Sequence, residues 1–401
     1  MARQSRASPS AVGKPRAVKP DEPQQQTRSL EYWPQKGAEG ANNPFDVSRF
    51  VLRFFCASCA RLRLKVLGLL IGGLFVTGAC AQRIEISWPT PNQAWAQGRD
   101  YTAWVQPTVS GEAESGLFGC VRTAGTQFHE GLDIRPVARD RAGEATDRVT
   151  AAMDGVVRHV SAAPGNSSYG RYVVLEHPGM TPAVYTLYAH LARIDPGVRP
   201  GMVVPRGGPL GTMGRSAGGY AIPKDRAHLH FEIGFVATAQ AFSSWYAWKK
   251  FGSPNEHGAY NGMNLLGLDP HDFLREWRRG RVDNVQEYLD RMRGVVKVRV
   301  ATSRTPDFIT RYPSLLRKPM PLGLVAGWEV ECNATGLPFA WTPLTAAELG
   351  GQRAGTARII SAEGALVRSG RCKSLAKSAR GGGFTVGPDL TTVLQLVFGL
   401  R

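Results

Sequence analysis

Beyond residue 83 the apolar positions alternate with polar ones in short runs, and a single stretch keeps a helical period. "RIEISW" and "YTAWVQPTV" alternate first, followed between residues 118 and 235 by "GVVRHV", "RYVVLEH", "AVYTLYAHL" and "HLHFEIGF". Gly- and Pro-rich punctuation such as "APGNSSYG", "DPGVRPG" and "RGGPLG" separates them, the pattern of antiparallel strands joined by turns. Residues 269–293, "DPHDFLREWRRGRVDNVQEYLDRMR", predict two short helices broken near Gly280, with Asp269 as N-cap and Pro270 in the first helical position. From Gly294 alternation returns in "VVKVRV", "LGLVAGWEVEC", "TARIISAEGALV" and "LTTVLQLVFG". The chain therefore reads as mainly β. A β segment spans 83–117, an antiparallel β-sheet domain 118–268 and a helical linker 269–293, with a smaller C-terminal β domain over 294–401.

The first 82 residues follow another pattern. Residues 61–82, "RLRLKVLGLLIGGLFVTGACAQ", run from a basic flank through an uncharged stretch, Val66 to Gln82, into small residues. That is the layout of a signal peptide, or of an uncleaved membrane anchor. Ala79-Cys80-Ala81 fits a small-residue cleavage site, and "TGAC" loosely matches a lipoprotein signal ending at Cys80, with Thr77 where a leucine-like residue is usual. Residues 1–60 in front are a disordered leader by composition, or an over-extended start. The expectation is export to the cell envelope, either periplasmic or membrane-attached as a lipoprotein.

Net charge changes the range of partners. The formal value is +17, and twelve basic against five acidic residues precede residue 66. Such a balance suits nucleic acid, anionic lipid or an acidic wall polymer. No arginine-rich block interleaved with aromatics stands in the body of the chain, which argues against nucleic acid. Of six cysteines, the "CASC" pair lacks a second pair at metal-site spacing, while Cys332 and Cys372 could pair in an oxidising compartment.

Four of the eight histidines fall in contexts that make chemical sense together. "FHEGLDI" carries His129 and Asp133, "YTLYAHL" carries His190, and "HLHFEIG" carries His228 and His230. Residues two apart in a strand share a face, so His228, His230 and Glu232 look one way while Leu229, Phe231 and Ile233 look into the core. The same rule places Tyr188 with His190. Gly131 lets the backbone turn so that His129 and Asp133 can reach one ion. Two imidazoles and a carboxylate match the ligand count of a catalytic zinc site, which keeps a fourth position for water. A hydrolase also needs groups that move the water's proton and stabilise an oxyanion, a task for further histidines.

The three motifs, in this order, resemble the lysostaphin-type (LytM-type) zinc metallopeptidases, which cut peptide cross-links of bacterial peptidoglycan. The resemblance covers roughly residues 118–235, and "AAMDGVV" at 151–157 adds to it. It implies Zn2+ held by His129, Asp133 and His230, with His190 and His228 as catalytic histidines, and an antiparallel sheet under an open groove that takes a wall peptide. Two loops depart from the family pattern, "IRPVARDRAGEATDR" after Asp133 and "SAGGYAIPKDRA" before His228. The alternatives are a non-catalytic or latent envelope protein that binds wall peptides or activates another hydrolase, and a metal-dependent amidase or esterase.

Plainer expectations cover the remaining candidates. His177 and Asp154 read as structural or turn residues, and His159, His257 and His271 as surface residues. Arg122 reads as an exposed charge in preference to a substrate-carboxylate binder. Glu232 is either an acceptor for a ligand imidazole or a surface ion-pair partner. Trp328 and Trp341 suit either a binding module or a structural domain.

Overall fold

The strand Leu229–Val236 is buried along its whole length because it has neighbours on both edges and both faces. The computed structural model describes residues 83–365 and 372–400, so the expectations for 1–60 and 61–82 fall outside the described residues. Among the described residues no helix is long and apolar enough to cross a membrane. Leu229–Val236 belongs to a seven-stranded antiparallel sheet. The order runs Leu265–Leu268, Leu229–Val236, Val184–Ala189, Tyr172–His177, Gly155–Ser161 and Val203–Val204, with Leu132–Ile134 added beside Leu229–Phe231. Leu229, Phe231, Ile233 and Phe235 enter the main core. On the opposite face Val236 packs with Tyr172, Val174, Tyr185, Leu187 and Ala189 in a second apolar cluster. The mainly β, antiparallel expectation holds.

A three-stranded sheet, in the order Arg148–Thr150, Pro209–Thr212 and Arg193–Ile194, closes over the main core. The C-terminal region builds a four-stranded antiparallel sheet from Pro338–Leu344, Gly327–Cys332, Val296–Val300 and Ala357–Ala362. Trp328 and Trp341 are fully buried in it, which is a structural use of both rings. Its apolar residues are continuous with the main core, so both sheets share one hydrophobic interior.

Helices Pro270–Arg278 and Val285–Asp290 form where the period placed them, the first capped by the Asp269 side chain accepting from the Asp272 N–H. Two other elements differ from expectation. "LTTVLQLVFG" is not a strand but most of the helix Pro388–Phe398, opened by Pro388 and closed by Gly399 in the left-handed region (φ 64°). An unbroken apolar run fits a buried helix as well as a buried strand, and the terminal Pro and Gly decided it. Residues 83–117 contain no strand; they hold 3-10 turns at Tyr101–Ala103 and Ala113–Gly116 and a single bridge, Val105 to Ile134. Trp88, Trp95 and Trp104 stack there in one aromatic cluster, so burial of rings replaced strand pairing.

Candidate metal centre

Strand register brings the first two groups together. In the pairing of Leu132–Ile134 with Leu229–Val236, Asp133 lies directly opposite His230, so both side chains leave the same face. His129 ends the strand Gln127–His129 and returns to them across Gly131. That glycine acts by close approach and not by an unusual turn: a Cβ there would sit 2.5 Å from the Phe231 carbonyl and 2.9 Å from His230 Nε2. The residue expected as a turn-maker is a spacer.

The result is a convergence of three atoms of metal-ligand type. Asp133 Oδ1 lies 3.1 Å from His129 Nε2 and 3.0 Å from His230 Nδ1, and the two ring nitrogens are 3.0 Å apart. All three residues are buried, at 0%, 2% and 4% exposure, and they form the one group of this kind among the described residues whose atoms could hold a metal ion. Two imidazole nitrogens and one carboxylate oxygen fit a borderline-soft divalent cation such as zinc, with room for a further ligand.

Partners behind the ring nitrogens set their orientation. His129 donates through Nδ1 to the Leu117 carbonyl at 2.6 Å. His230 donates through Nε2 to Glu232 Oε1 at 2.9 Å, and Glu232 also accepts from the hydroxyls of Tyr169 at 2.6 Å and Tyr185 at 2.7 Å. Glu232 is 1% exposed, which excludes the surface ion pair. Burial pushes Asp133 up, but the imidazoles of His129, His228 and His230 around it outweigh this and hold the carboxyl well below the usual range. Burial opposes protonation of His230 too, yet bonds to Asp133 and Glu232 raise it to about 9.

His190 and His228 stand beside the trio. Their ring centres are 4.7 Å apart, and His190 is 5.8 Å from His230. Each donates Nδ1–H to a carbonyl, of Ser216 at 2.8 Å and of Arg226 at 2.7 Å, leaving Nε2 as an acceptor. His228 Nε2 lies 3.5 Å from Asp133 Oδ1. Burial lowers both rings below ordinary histidine, His190 furthest because His228 and His230 add to it. Burial thus favours the neutral form of both rings.

Strand alternation does not place His190. Tyr188 points into the main core, where its hydroxyl accepts the Ala152 N–H at 2.8 Å, and the strand ends at Ala189. His190 takes φ 60°, a left-handed conformation uncommon for a side-chain-bearing residue, and this swings its ring to the opposite face. Tyr188 and His190 therefore do not share a face.

Several plain expectations are corrected. Arg122 is half-buried; its Nη2 reaches Asp133 Oδ2 at 2.5 Å and its Nε bonds the Ser115 carbonyl, a role with no local sequence signal. Asp133 is thus bonded on both oxygens. His257 is buried and meets His159 at 3.2 Å, while His159 and His271 are half-buried, the latter edge-on against Trp104, so only His257 leaves the surface altogether. His177 is structural, bonding the Asp154 carbonyl and Thr186. Cys372 pairs with Cys120 across 252 positions, and Cys332 is free and buried in its strand. The two divergent loops brace each other: Arg139 donates to the carbonyls of Lys224 and Asp225, and Glu144 takes a bidentate pair from Arg215.

Residues 127–241 match the model of peptidase family M23. Similar solved structures include a zinc containing peptidase from Vibrio cholerae, at 26% identity over 38% of this chain and 37% of that one, with TM-score 0.26. The catalytic domain of a prophage-encoded M23 protein from Enterococcus faecalis is 20% identical over 33% of this chain and 80% of its own, with TM-score 0.23. The catalytic domain of lysostaphin from Staphylococcus simulans is 19% identical over 40% and 87%, with TM-score 0.24. The chain thus spans little more than a third of the Vibrio chain. No curated protein matches.

Proposed function

We propose that this chain, whose residues 127–241 carry a peptidase family M23 domain, is a zinc-dependent endopeptidase that hydrolyses peptide cross-links of bacterial peptidoglycan. The observation that carries the reading is the group of three mutually close donors, His129 Nε2, Asp133 Oδ1 and His230 Nδ1, flanked by two histidines outside the trio. Bound there, zinc would supply Lewis acidity and a water of lowered pKa. His190 and His228, each with Nδ1–H bonded to a carbonyl and Nε2 kept as an acceptor, take the proton of the attacking water and return it to the leaving amine. Protonated in turn, they stabilise negative charge on the carbonyl oxygen. Glu232 holds the His230 ring, and Arg122 holds Asp133 through its second oxygen.

Export to the envelope belongs to the same proposal. Its supports are the signal-like pattern of residues 61–82 and the Cys120–Cys372 bond, which persists in an oxidising compartment. The test is purified protein with measured zinc content, incubated with isolated cell walls and followed by mass spectrometry of the muropeptides. We expect one zinc per chain and loss of cross-linked species, with His230→Ala losing both. Release of the whole stem peptide from sugar would instead identify an amidase. An unchanged profile across several wall types, with zinc bound, would sink the catalytic reading in favour of a wall-binding protein.

A further inference from the structure

Away from the metal centre, a cavity of about 220 Å³ lies between the sheet's edge strand Leu265–Leu268 and the C-terminal helix Pro388–Phe398. Its apolar lining includes Leu266, Leu396 and the Phe128 ring. Its charged lining consists of Glu130, Lys373 and Asp389. Glu130 is exposed and has no hydrogen-bond or ion-pair partner among the described residues. Lys373, half-buried, holds its ammonium 4.3 Å from the Phe128 ring centre and has no carboxylate partner among them. The third charge, Asp389, is engaged, accepting the Ser374 N–H at 2.6 Å. An acid and a base thus line one cleft without pairing with each other.

One tyrosine ring touches both the cleft lining and the His-Asp-His trio. Tyr169 packs against His230, ring centres 5.5 Å apart. The same ring fills the space where a Cβ at Gly262 would stand, 2.9 Å away, and Gly262 lines the cleft. Glu130 is the chain neighbour of His129. The Cys120–Cys372 bond ties the residue before Lys373 to the strand Gly119–Arg122, which pairs with Gln127–His129. Both charges are therefore fixed relative to the metal ligands.

We propose that this cleft is a substrate subsite that takes a peptide arm carrying both a free ammonium and a free carboxylate, the ammonium meeting Glu130 and the carboxylate Lys373. The inference rests on the peptidase reading only in taking a peptide as occupant. The two unpaired charges set the chemistry, because a ligand with a single charge satisfies one and leaves the other unmet. The apolar lining accepts the methylenes between them.

The test measures dissociation constants by NMR titration of the full chain, without added zinc, for N-acetyl-alanyl-lysine, its Nζ-acetyl derivative and its C-terminal amide. For the wild type, each blocked form should bind about two- to fivefold more weakly than the parent, the range expected for a partly exposed charge pair. Glu130→Gln should lose discrimination against the acetyl form only, and Lys373→Met against the amide only. Both side chains lie at the surface of the cleft, and unchanged thermal melting would show that the variants fold. Wild-type discrimination retained by both variants, or no binding by the wild type, overturns the subsite. Wall hydrolysis without dipeptide discrimination sinks the subsite alone. Discrimination without hydrolysis keeps the subsite and sinks the peptidase reading.

Discussion

At His190 a single backbone angle decides the chemistry. Alternation would put its imidazole in the apolar core, and φ 60° places it 4.7 Å from His228 instead. Its side chain lies outside the donor trio, so His190→Ala should keep full zinc stoichiometry while turnover falls at least about 100-fold, the usual scale for a lost proton-transfer group. Metal analysis beside a kinetic assay checks the split. Glu232 acts on the other side of a ligand. It receives His230 Nε2–H and two tyrosine hydroxyls, so Glu232→Gln should weaken zinc binding about 10- to 100-fold, read by chelator competition. An unchanged affinity would show that the ring is held by packing alone.

Among the elements, the short strand Pro209–Thr212 and the residues after it matter for His228. The His228 N–H bonds the Gly214 carbonyl, and a Cβ on Gly214 would lie 2.4 Å from the Ala192 nitrogen. Gly214→Ala should therefore cost roughly 1–3 kcal/mol or more, as overpacking does, and should also displace His228. Urea unfolding measures the first effect, and loss of activity out of proportion to stability marks the second. The helix Pro270–Arg278 offers a pH test through its cap. Burial raises the Asp269 carboxyl from 3.8 to about 6, outweighing the hydrogen bond from the Asp272 N–H. A raised carboxyl favours folding fully below its unfolded value near 4, and that contribution disappears as pH rises through 6. Asp269→Asn keeps an acceptor and removes the charge. It should match the wild type at pH 4 and exceed it at pH 8 by about 1–3 kcal/mol, read from melting curves at the two pH values. Equal stability at pH 8 would show that the cap bond offsets the burial.

For the whole molecule, one interior joins the seven-stranded sheet to the C-terminal sheet, and one covalent bond ties the strand Gly119–Arg122 to the C-terminal region. A bridge across 252 positions restricts the unfolded chain strongly, worth about 5.5 kcal/mol in the chain-entropy view. Reduction, or Cys372→Ser, should lower the urea midpoint by a matching amount while the three metal ligands still bind zinc. A loss of zinc on reduction would show that the bond also holds the strand carrying Arg122 in place.

The residue types of the candidate site were legible in order along the chain. Two-residue spacing put His228, His230 and Glu232 on one face, and the HxxxD spacing supplied the third donor. Such local patterns determine which side chains within one element can act together, because backbone geometry repeats over a few residues. Strand register placed Asp133 opposite His230, and a positive φ turned His190 out of its pattern. Long-range packing gave Arg122 to Asp133 and Cys120 to Cys372. No local periodicity encodes these, since each depends on segments far apart in the chain meeting in one interior. The sequence by itself named the candidate ligands and the histidines beside them; tertiary structure alone decided how they are held, and what lies around them.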